Sequence, residues 1–152
     1  MLRGASTLSL DSKGRMAVPT RHREKLLECC GGQMVVTVSG DRDRCLWMFP
    51  FDDWEEAERK IVSLPSFNPA HKYLKRMVIG HAREVEIDRS GRVLLPGLLR
   101  EYAVLDKEVF LVGQGNKFEI WNEKLWNQMG EQWKSEEIDP ERLSPEMEQL
   151  SL

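Results

Sequence analysis

The sequence predicts an α+β fold in which two similar halves interlock around one small barrel-like core, with helices packed outside. The first observation is a D-x-x-G-R motif that occurs twice, at residues 11–15 and 88–92, with an offset of 77 residues. The second is that the same order of strand and helix patterns follows each copy. Because half a chain of this size buries little surface by itself, we expect the two repeats to fold together.

The two copies share more than the motif. A proline follows each motif at the same distance, as Pro19 and Pro96, and an Arg-Glu pair comes next, at residues 23–24 and 100–101. All of these matches have the same offset, so they form one register. We therefore interpret the chain as an internal duplication.

Each motif is predicted to form the tip of a β-hairpin. Residues 8–10 and 85–87 alternate between apolar and polar, which is typical of a strand with one buried face. Short apolar runs follow at residues 16–18 and 93–95. An aspartate at the first turn position accepts backbone N–H groups, and a glycine at the fourth tolerates positive φ. The predicted turn-forming residues are Asp11, Gly14, Asp88 and Gly91.

Both predicted tips carry cations, Lys13 and Arg15 in the first and Arg89 and Arg92 in the second. A rigid turn that presents cations suits contacts with phosphates and with guanine, which arginine can bind with both prongs of its fork. The alternative is that each arginine only pairs with the aspartate of its own turn, as weak surface ion pairs do. The duplication favours the nucleic-acid interpretation, because turn formation does not need the additional cations.

The remaining elements repeat in order. In the first half we predict a helix at residues 20–30, strands at 33–38 and 46–49, and a helix capped by Asp52 or Asp53. The second half has the corresponding predictions, namely a short helix at residues 97–103, strands at 108–112 and 118–121, and a helix capped by Asn122. Trp54 and Trp126 lie at matching positions, and we interpret both as packing residues.

A further helix is predicted between the halves. Asn68 would cap it, Pro69 would occupy its first turn and Gly80 would end it. Its polar face carries His71, Lys72, Lys75 and Arg76. This face is either solvated or an auxiliary phosphate contact. The predicted domains are residues 5–55 and 81–127 for the two repeats, 55–80 for the connecting helices, and 128–152 for a C-terminal helix and a loose acidic tail.

The distribution of charge permits nucleic-acid binding although the net charge is −3. From Gly130 onward the chain has seven acidic and two basic residues, and the remainder has 20 basic and 18 acidic residues. A phosphate responds to the local field, so a basic face and an acidic total are compatible. The three cysteines do not have disulfide or zinc spacing. With no signal peptide or apolar run of about 20 residues, we expect a soluble cytoplasmic protein.

The chain resembles the MraZ family, in the SpoVT/AbrB-like superfamily. The resemblance is based on the start at residues 1–5, the doubled D-x-x-G-R motif and the run at 113–121. It implies a double-split β-barrel of the swapped-hairpin type and a ring-shaped homo-oligomer. It also implies a nucleoid-associated regulator that binds repeated boxes in double-stranded promoter DNA, usually repressing its own division and cell-wall operon.

The resemblance also suggests residue roles. Lys13 and Arg15 match the DNA-reading residues of the first motif, and Arg89 and Arg92 match those of the second, while Arg3 is a further candidate for backbone contact. The second copy has Ser90 where the first has Lys13, so the two tips are expected to contribute unequally. No enzyme activity, catalytic residue, cofactor, metal, membrane contact or small-molecule substrate is expected.

Two other functions are considered. The chain could be an antitoxin-like or scaffolding subunit whose acidic tail binds a basic partner. It could instead be a metal-dependent hydrolase, because Glu84, Glu86 and Asp88 alternate on one strand face. A solvated strand edge explains these carboxylates better, since no histidine supports a metal site. His22, His71 and His81 are isolated, and we expect them to be surface or partly buried structural residues.

Overall fold

The computed structural model describes residues 1–41, 43–136 and 144–151. The first half contains β1 Ala5–Ser9, β2 Arg15–Ala17, α1 Thr20–Cys30, β3 Gln33–Val38, β4 Leu46–Pro50 and α2 Phe51–Val62. The connection is α3 Pro69–Leu74, which continues as a π-helical segment, Lys75–Ile79. The second half contains β5 Arg83–Glu86, β6 Arg92–Leu94, α4 Gly97–Tyr102, β7 Glu108–Gly113, β8 Phe118–Asn122 and α5 Glu123–Ser135, and α6 Pro145–Glu148 follows.

The strands form two sheets. Six strands have the order β1-β7-β8-β4-β3-β5, and β2 and β6 form a separate two-stranded ribbon. All of the pairings between these strands are antiparallel. The α+β class is therefore confirmed.

The two halves exchange strands. β1 of the first half pairs with β7 of the second, β5 pairs with β3, and β2 pairs with β6 around the Met16–Val93 pair. Each half therefore completes the sheet of the other. Because these pairings join residues far apart in sequence, the hydrogen-bonded core requires both repeats.

The two local hairpins predicted around the D-x-x-G-R motifs are wrong in their pairing. The arms of each turn enter different sheets. Beside the turns they are joined by the Asp11 N–H bond to the Arg15 carbonyl and the Asp88 N–H bond to the Arg92 carbonyl, with an isolated bridge between Leu10 and Met16. The three-residue strand after each turn instead pairs with its counterpart from the other repeat, which buries Met16 and Val93 completely. Burial of both side chains in a shared core favours this exchange. The later hairpins, β3–β4 and β7–β8, form as predicted.

Two apolar clusters hold the fold. The larger one draws from both repeats and includes the fully buried Val18 and Leu95. The smaller one joins Val35 and Phe49 of the sheet to Trp54 of α2 and Val78 of the connecting helix. On α5, Trp126 stacks on Phe110 with ring centroids 4.8 Å apart and meets Trp121 and Trp133 edge-on. Both matched tryptophans are therefore packing residues.

The helix ends follow the predictions in part. The Asn68 and Asn122 side chains accept backbone N–H groups as N-caps. The prediction of an Asp52 or Asp53 cap is wrong, because β4 runs directly into α2 and Pro50 occupies the cap position. Both aspartates lie in the first turn of α2, where negative charge favours the helix dipole.

The C-terminal region is described only in part. α5 ends at Ser135, and the short α6 follows at residues 145–148. The central part of the predicted loose tail, residues 137–143, lies outside the described residues. Among the residues that the structure describes, no helix has the length and apolar character needed to span a bilayer.

Candidate nucleic-acid interface

The two D-x-x-G-R turns have the same hydrogen-bond geometry. Asp11 Oδ1 accepts the backbone N–H groups of Lys13 and Arg15, each at 2.9 Å. Asp88 Oδ1 accepts the corresponding groups two and four residues ahead, at 2.8 and 2.9 Å. These bonds stabilise the ionised carboxylates, so the pKa of both aspartates lies below its usual value, chiefly through the N–H groups of Arg15 and Arg92.

Each turn needs its glycine. Gly14 has φ +84° and Gly91 has φ +76°, both in the left-handed region that strains other residues. The N–H group of each glycine also donates to the carbonyl of the turn's aspartate, at 3.0 and 2.9 Å. The aspartate and glycine of each copy therefore form a turn with one well-defined backbone path.

An arginine from one repeat covers the turn of the other. The Arg100 guanidinium lies where a side chain on Gly14 would be, and its Nε donates to the Leu95 carbonyl at 3.0 Å. Arg23 covers Gly91 in the same way, and its Nε–carbonyl distance is 2.9 Å. The sequence analysis placed both arginines in the repeat register but assigned them no role. They support the turns across the interface between the repeats.

The β2–β6 ribbon presents one face to solvent. Its register places Met16 opposite Val93, and both side chains are buried beneath the ribbon. Since neighbouring side chains of a strand point to opposite faces, the alternate positions point outward. These outward residues are Arg15, Ala17, Arg92 and Leu94, with Arg15 opposite Leu94 and Ala17 opposite Arg92.

The two ribbon arginines differ in their contacts. Arg92 Nη1 lies 3.2 Å from Asp11 Oδ2 of the other turn, and its Nε lies 3.9 Å from Asp88 Oδ2, beyond hydrogen-bond length. No ion pair of Arg15 occurs within residues 1–41, 43–136 and 144–151. The alternative of ion pairs within each turn therefore fails for Asp11–Arg15, and Arg92 mainly contacts the opposite turn.

The other candidate cations fall into two groups. Lys13 and Arg89 are exposed at the tips, and each is beside a serine, although the order of the two residue types is reversed between the turns. Arg3 is also exposed, but it lies by the β7–β8 connection, where Leu2 pairs with Gly115. That position is at the opposite end of β1 from the first turn. The structure therefore groups four of the five candidate cations and leaves Arg3 apart.

The residues of the hydrolase hypothesis do not converge. Glu84 and Glu86 are exposed on β5, and Asp88 follows that strand and organises the second turn. In the described part of the chain, no three acidic, histidine or cysteine side chains lie close enough together to hold a metal ion. On the connecting helix, Lys75 Nζ donates to the Leu64 carbonyl at 2.7 Å, which leaves that side chain less available to a phosphate.

One histidine differs from expectation. His22 is only 3% exposed and packs edge-on against Phe118, with ring centroids 4.8 Å apart. The prediction of a surface or partly buried position is therefore wrong for this residue. α1 turns its side chain into the core at the place where the second repeat has the buried Leu99.

In a comparison with known proteins, one family model matches the chain twice, once over each repeat. A family model described as "MraZ protein, putative antitoxin-like" matches residues 1–77 and again residues 78–143. A protein of Halorhodospira halophila named "Transcriptional regulator MraZ" is 50% identical over 153 residues, covering all of both chains. A protein of the same name from Methylococcus capsulatus is 55% identical over 136 residues, which cover 90% of this chain and 88% of that one. The Yersinia pseudotuberculosis protein of that name is 47% identical over the full length of both.

Proposed function

This chain belongs to the MraZ family, and from that membership and the geometry of its ribbon we propose that it is a sequence-specific DNA-binding transcriptional regulator. The relatives are named as transcriptional regulators. The family is one of regulators and not of enzymes, as the sequence analysis predicted.

The observation that carries the proposal is the outward face of the β2–β6 ribbon. Two arginines from the two repeats lie on one two-stranded ribbon, between two rigid turns with cationic tips. The major groove is about 12 Å wide and admits a two-stranded ribbon. In this binding mode Arg15 and Arg92 face the base edges, while Lys13 and Arg89 contact the phosphates on either side.

The exchange of strands supports a more specific fold assignment. β2 pairs with β6 about an approximate twofold axis near Met16 and Val93, and β1 and β5 each join the sheet through the other repeat. We propose that this arrangement is the double-split β-barrel of the AbrB type. It fixes the distance between the two turns, so both can engage one stretch of duplex.

We further propose that the protein acts as a ring-shaped homo-oligomer on repeated boxes upstream of its own division and cell-wall operon, and represses it. Several ribbons in one ring would bind tandem boxes together, and the resulting avidity can exceed the affinity of a single contact by about 10²- to 10⁴-fold. A cytoplasmic, nucleoid-associated location follows from this role. Arg3 can contribute only where DNA also passes the β7–β8 connection.

Footprinting tests the proposal on the DNA upstream of the protein's own gene. Wild type is expected to protect a set of short repeats, and Arg15→Ala is expected to lose this protection while keeping its circular dichroism spectrum and melting temperature. Arg59→Ala is the matched control, because Arg59 is an exposed arginine on α2, away from the ribbon. Protection by Arg15→Ala equal to that of wild type would contradict the proposal.

A second candidate is an antitoxin-like subunit, which the description of the matching family favours. In that function the acidic C-terminal region would bind a small basic protein. Purification of the protein from its native host separates the two functions, because an antitoxin-like subunit would retain such a partner in a fixed ratio at moderate salt. Recovery of this chain alone would leave the regulator as the function.

A further inference from the structure

Leu94 is an apolar residue in the middle of the proposed DNA-binding face. It is 53% exposed and lies directly opposite Arg15 in the ribbon. Single exposed leucines are ordinary on protein surfaces. Leu94 is different because it shares a three-residue strand with Arg92 and has cations on two sides, so a partner that binds the arginines also covers the leucine.

The approximate twofold axis of the ribbon makes Leu94 and Ala17 equivalent positions. Both point outward, and each is opposite an arginine. Leu94 carries an isobutyl group and Ala17 only a methyl group. The apolar side chain therefore extends further from the ribbon in one half of the face than in the other. The two arginines also differ in their contacts. Arg92 lies 3.2 Å from the Asp11 carboxylate, whereas Arg15, which is opposite Leu94, has no ion pair among the described residues.

The major groove offers one kind of apolar group. Each base pair presents hydrogen-bond donors and acceptors there, and thymine adds its C5 methyl group. A side chain placed beside an arginine that reaches the base edges is at the right depth to contact this methyl. Leucine is long enough to bury a methyl group against its own carbons, whereas alanine at the equivalent position reaches less far.

Resting on the proposed function, we propose that Leu94 contacts a thymine methyl group in the major groove and is a specificity-determining residue. The half of the DNA site under Arg15 and Leu94 therefore discriminates thymine from other pyrimidines by its methyl group. The half under Ala17 and Arg92 does not. A single chain then recognises an asymmetric site, although its two repeats fold alike.

Deoxyuridine substitution tests this contact, because it removes only the methyl group of thymine. Duplexes with the footprinted sequence are prepared with one thymine at a time replaced, and dissociation constants are measured by fluorescence anisotropy at fixed salt. Wild type is expected to lose about fourfold in affinity at one thymine, as burial of one methyl group gives about 0.8 kcal/mol. Leu94→Ala is expected to bind the thymine duplex about fourfold more weakly and to be insensitive to the replacement.

Two further variants complete the experiment. Leu98→Ala is the matched control, since Leu98 is 62% exposed on α4 and lies outside the ribbon, and it is expected to keep the sensitivity to the methyl group. Ala17→Leu is expected to create a second sensitive thymine in the other half of the site.

The outcomes separate this inference from the function on which it rests. Specific binding by wild type with equal affinity for every substituted duplex overturns the inference and leaves the DNA-binding function intact. If Leu94→Ala still loses affinity when the thymine is replaced by deoxyuridine, the inference is also overturned while the DNA-binding function remains. A changed oligomer mass in that variant would then assign Leu94 to a contact between copies of the chain. Failure of wild type to prefer the footprinted sequence over random DNA overturns both.

Discussion

At the scale of single residues, Asp11 performs two tasks with its two oxygens. Oδ1 accepts the backbone N–H groups of its own turn, and Oδ2 lies 3.2 Å from Arg92 of the other repeat. Asp88 organises its own turn in the same way but has only a 3.9 Å approach from Arg92. The Asp11–Arg92 ion pair therefore links the first turn to the second, and the described residues show no corresponding pair between Asp88 and Arg15.

The environment of His22 predicts that the stability of the fold depends on pH near neutrality. Its ring is buried, Arg21 Nε donates to Nε2 at 3.3 Å, and Nδ1 has no hydrogen-bond partner in the part of the chain that the structure describes. Burial lowers its pKa, and the charges of Arg21 and Lys25 lower it further. As the pH falls through about 6.5, the usual pKa of histidine, His22 therefore takes up a proton more readily in the unfolded chain than in the folded one. The free energy of unfolding falls over this range as the pH falls.

We predict that His22→Leu raises the free energy of unfolding by about 1–2 kcal/mol at pH 7, because it removes a buried ring nitrogen, Nδ1, that has no hydrogen-bond partner among the described residues. It should also reduce the loss of stability between pH 7 and pH 5. Urea denaturation at several pH values measures both effects. His71→Leu is the control, since His71 Nδ1 has the Pro65 carbonyl at 3.0 Å, and it should not stabilise the protein. A destabilised His22→Leu variant would contradict the prediction.

At the scale of elements, the turns and the ribbon depend on support from outside their own repeat. Gly14 lies beneath Arg100, and the Leu95 N–H group donates to the Gly14 carbonyl at 3.0 Å. The Val18 N–H group donates to Gly91 at the same distance on the other side. The turn formed by one motif is thus held by the strand and helix of the other.

We predict that Arg100 positions the first turn without contacting DNA. Arg100→Ala should lower the free energy of unfolding by about 1–3 kcal/mol, through loss of the hydrogen bond to the Leu95 carbonyl and of packing on Gly14. It should weaken DNA binding but leave the slope of log K against log salt unchanged. Lys13→Ala, which removes a phosphate contact, should reduce that slope by about 1 and leave stability unchanged.

Arg100→Lys keeps the charge but not the planar group, so it should resemble Arg100→Ala if the role is packing. A reduced salt slope for Arg100→Ala would show instead that its guanidinium contacts a phosphate. Anisotropy titrations at a series of salt concentrations give these slopes directly.

At the scale of the whole molecule, the two repeats form one cooperative unit. β1 has its sheet partner in β7, and β3 lies between β4 of its own half and β5 of the other. The fully buried Met16, Val18, Val93 and Leu95 lie in the same apolar cluster. Division of the chain between the repeats exposes this core and leaves strand edges unpaired.

We predict that fragments 1–77 and 78–152 are unfolded when separate and that they fold when mixed. The reason is that each lacks its partner strands and half of the shared cluster. Circular dichroism of each fragment should show no cooperative thermal transition, and the equimolar mixture should show one. A cooperative transition in either fragment alone would contradict the prediction.

The local elements follow from the sequence alone. The helix at residues 20–30 and the strand at 33–38 have the predicted bounds, and the cap residues Asn68 and Asn122 act as predicted. These features depend on the types and spacing of residues within a few positions of each other, and this information is present in the local sequence. The turn geometry at Asp11–Arg15 is of the same kind, since its hydrogen bonds span at most four residues.

Only the tertiary structure decided which partners these elements choose. The arms beside each turn were predicted to pair with each other, and they pair across the repeats instead. The positions of Arg23 and Arg100, and of Ala17 and Leu94 on the outer face, were missed, although the offset of the Arg-Glu pairs was a signal that both arginines belong to the repeat. Contacts between distant segments depend on which arrangement buries most apolar surface, and that quantity belongs to the folded chain as a whole.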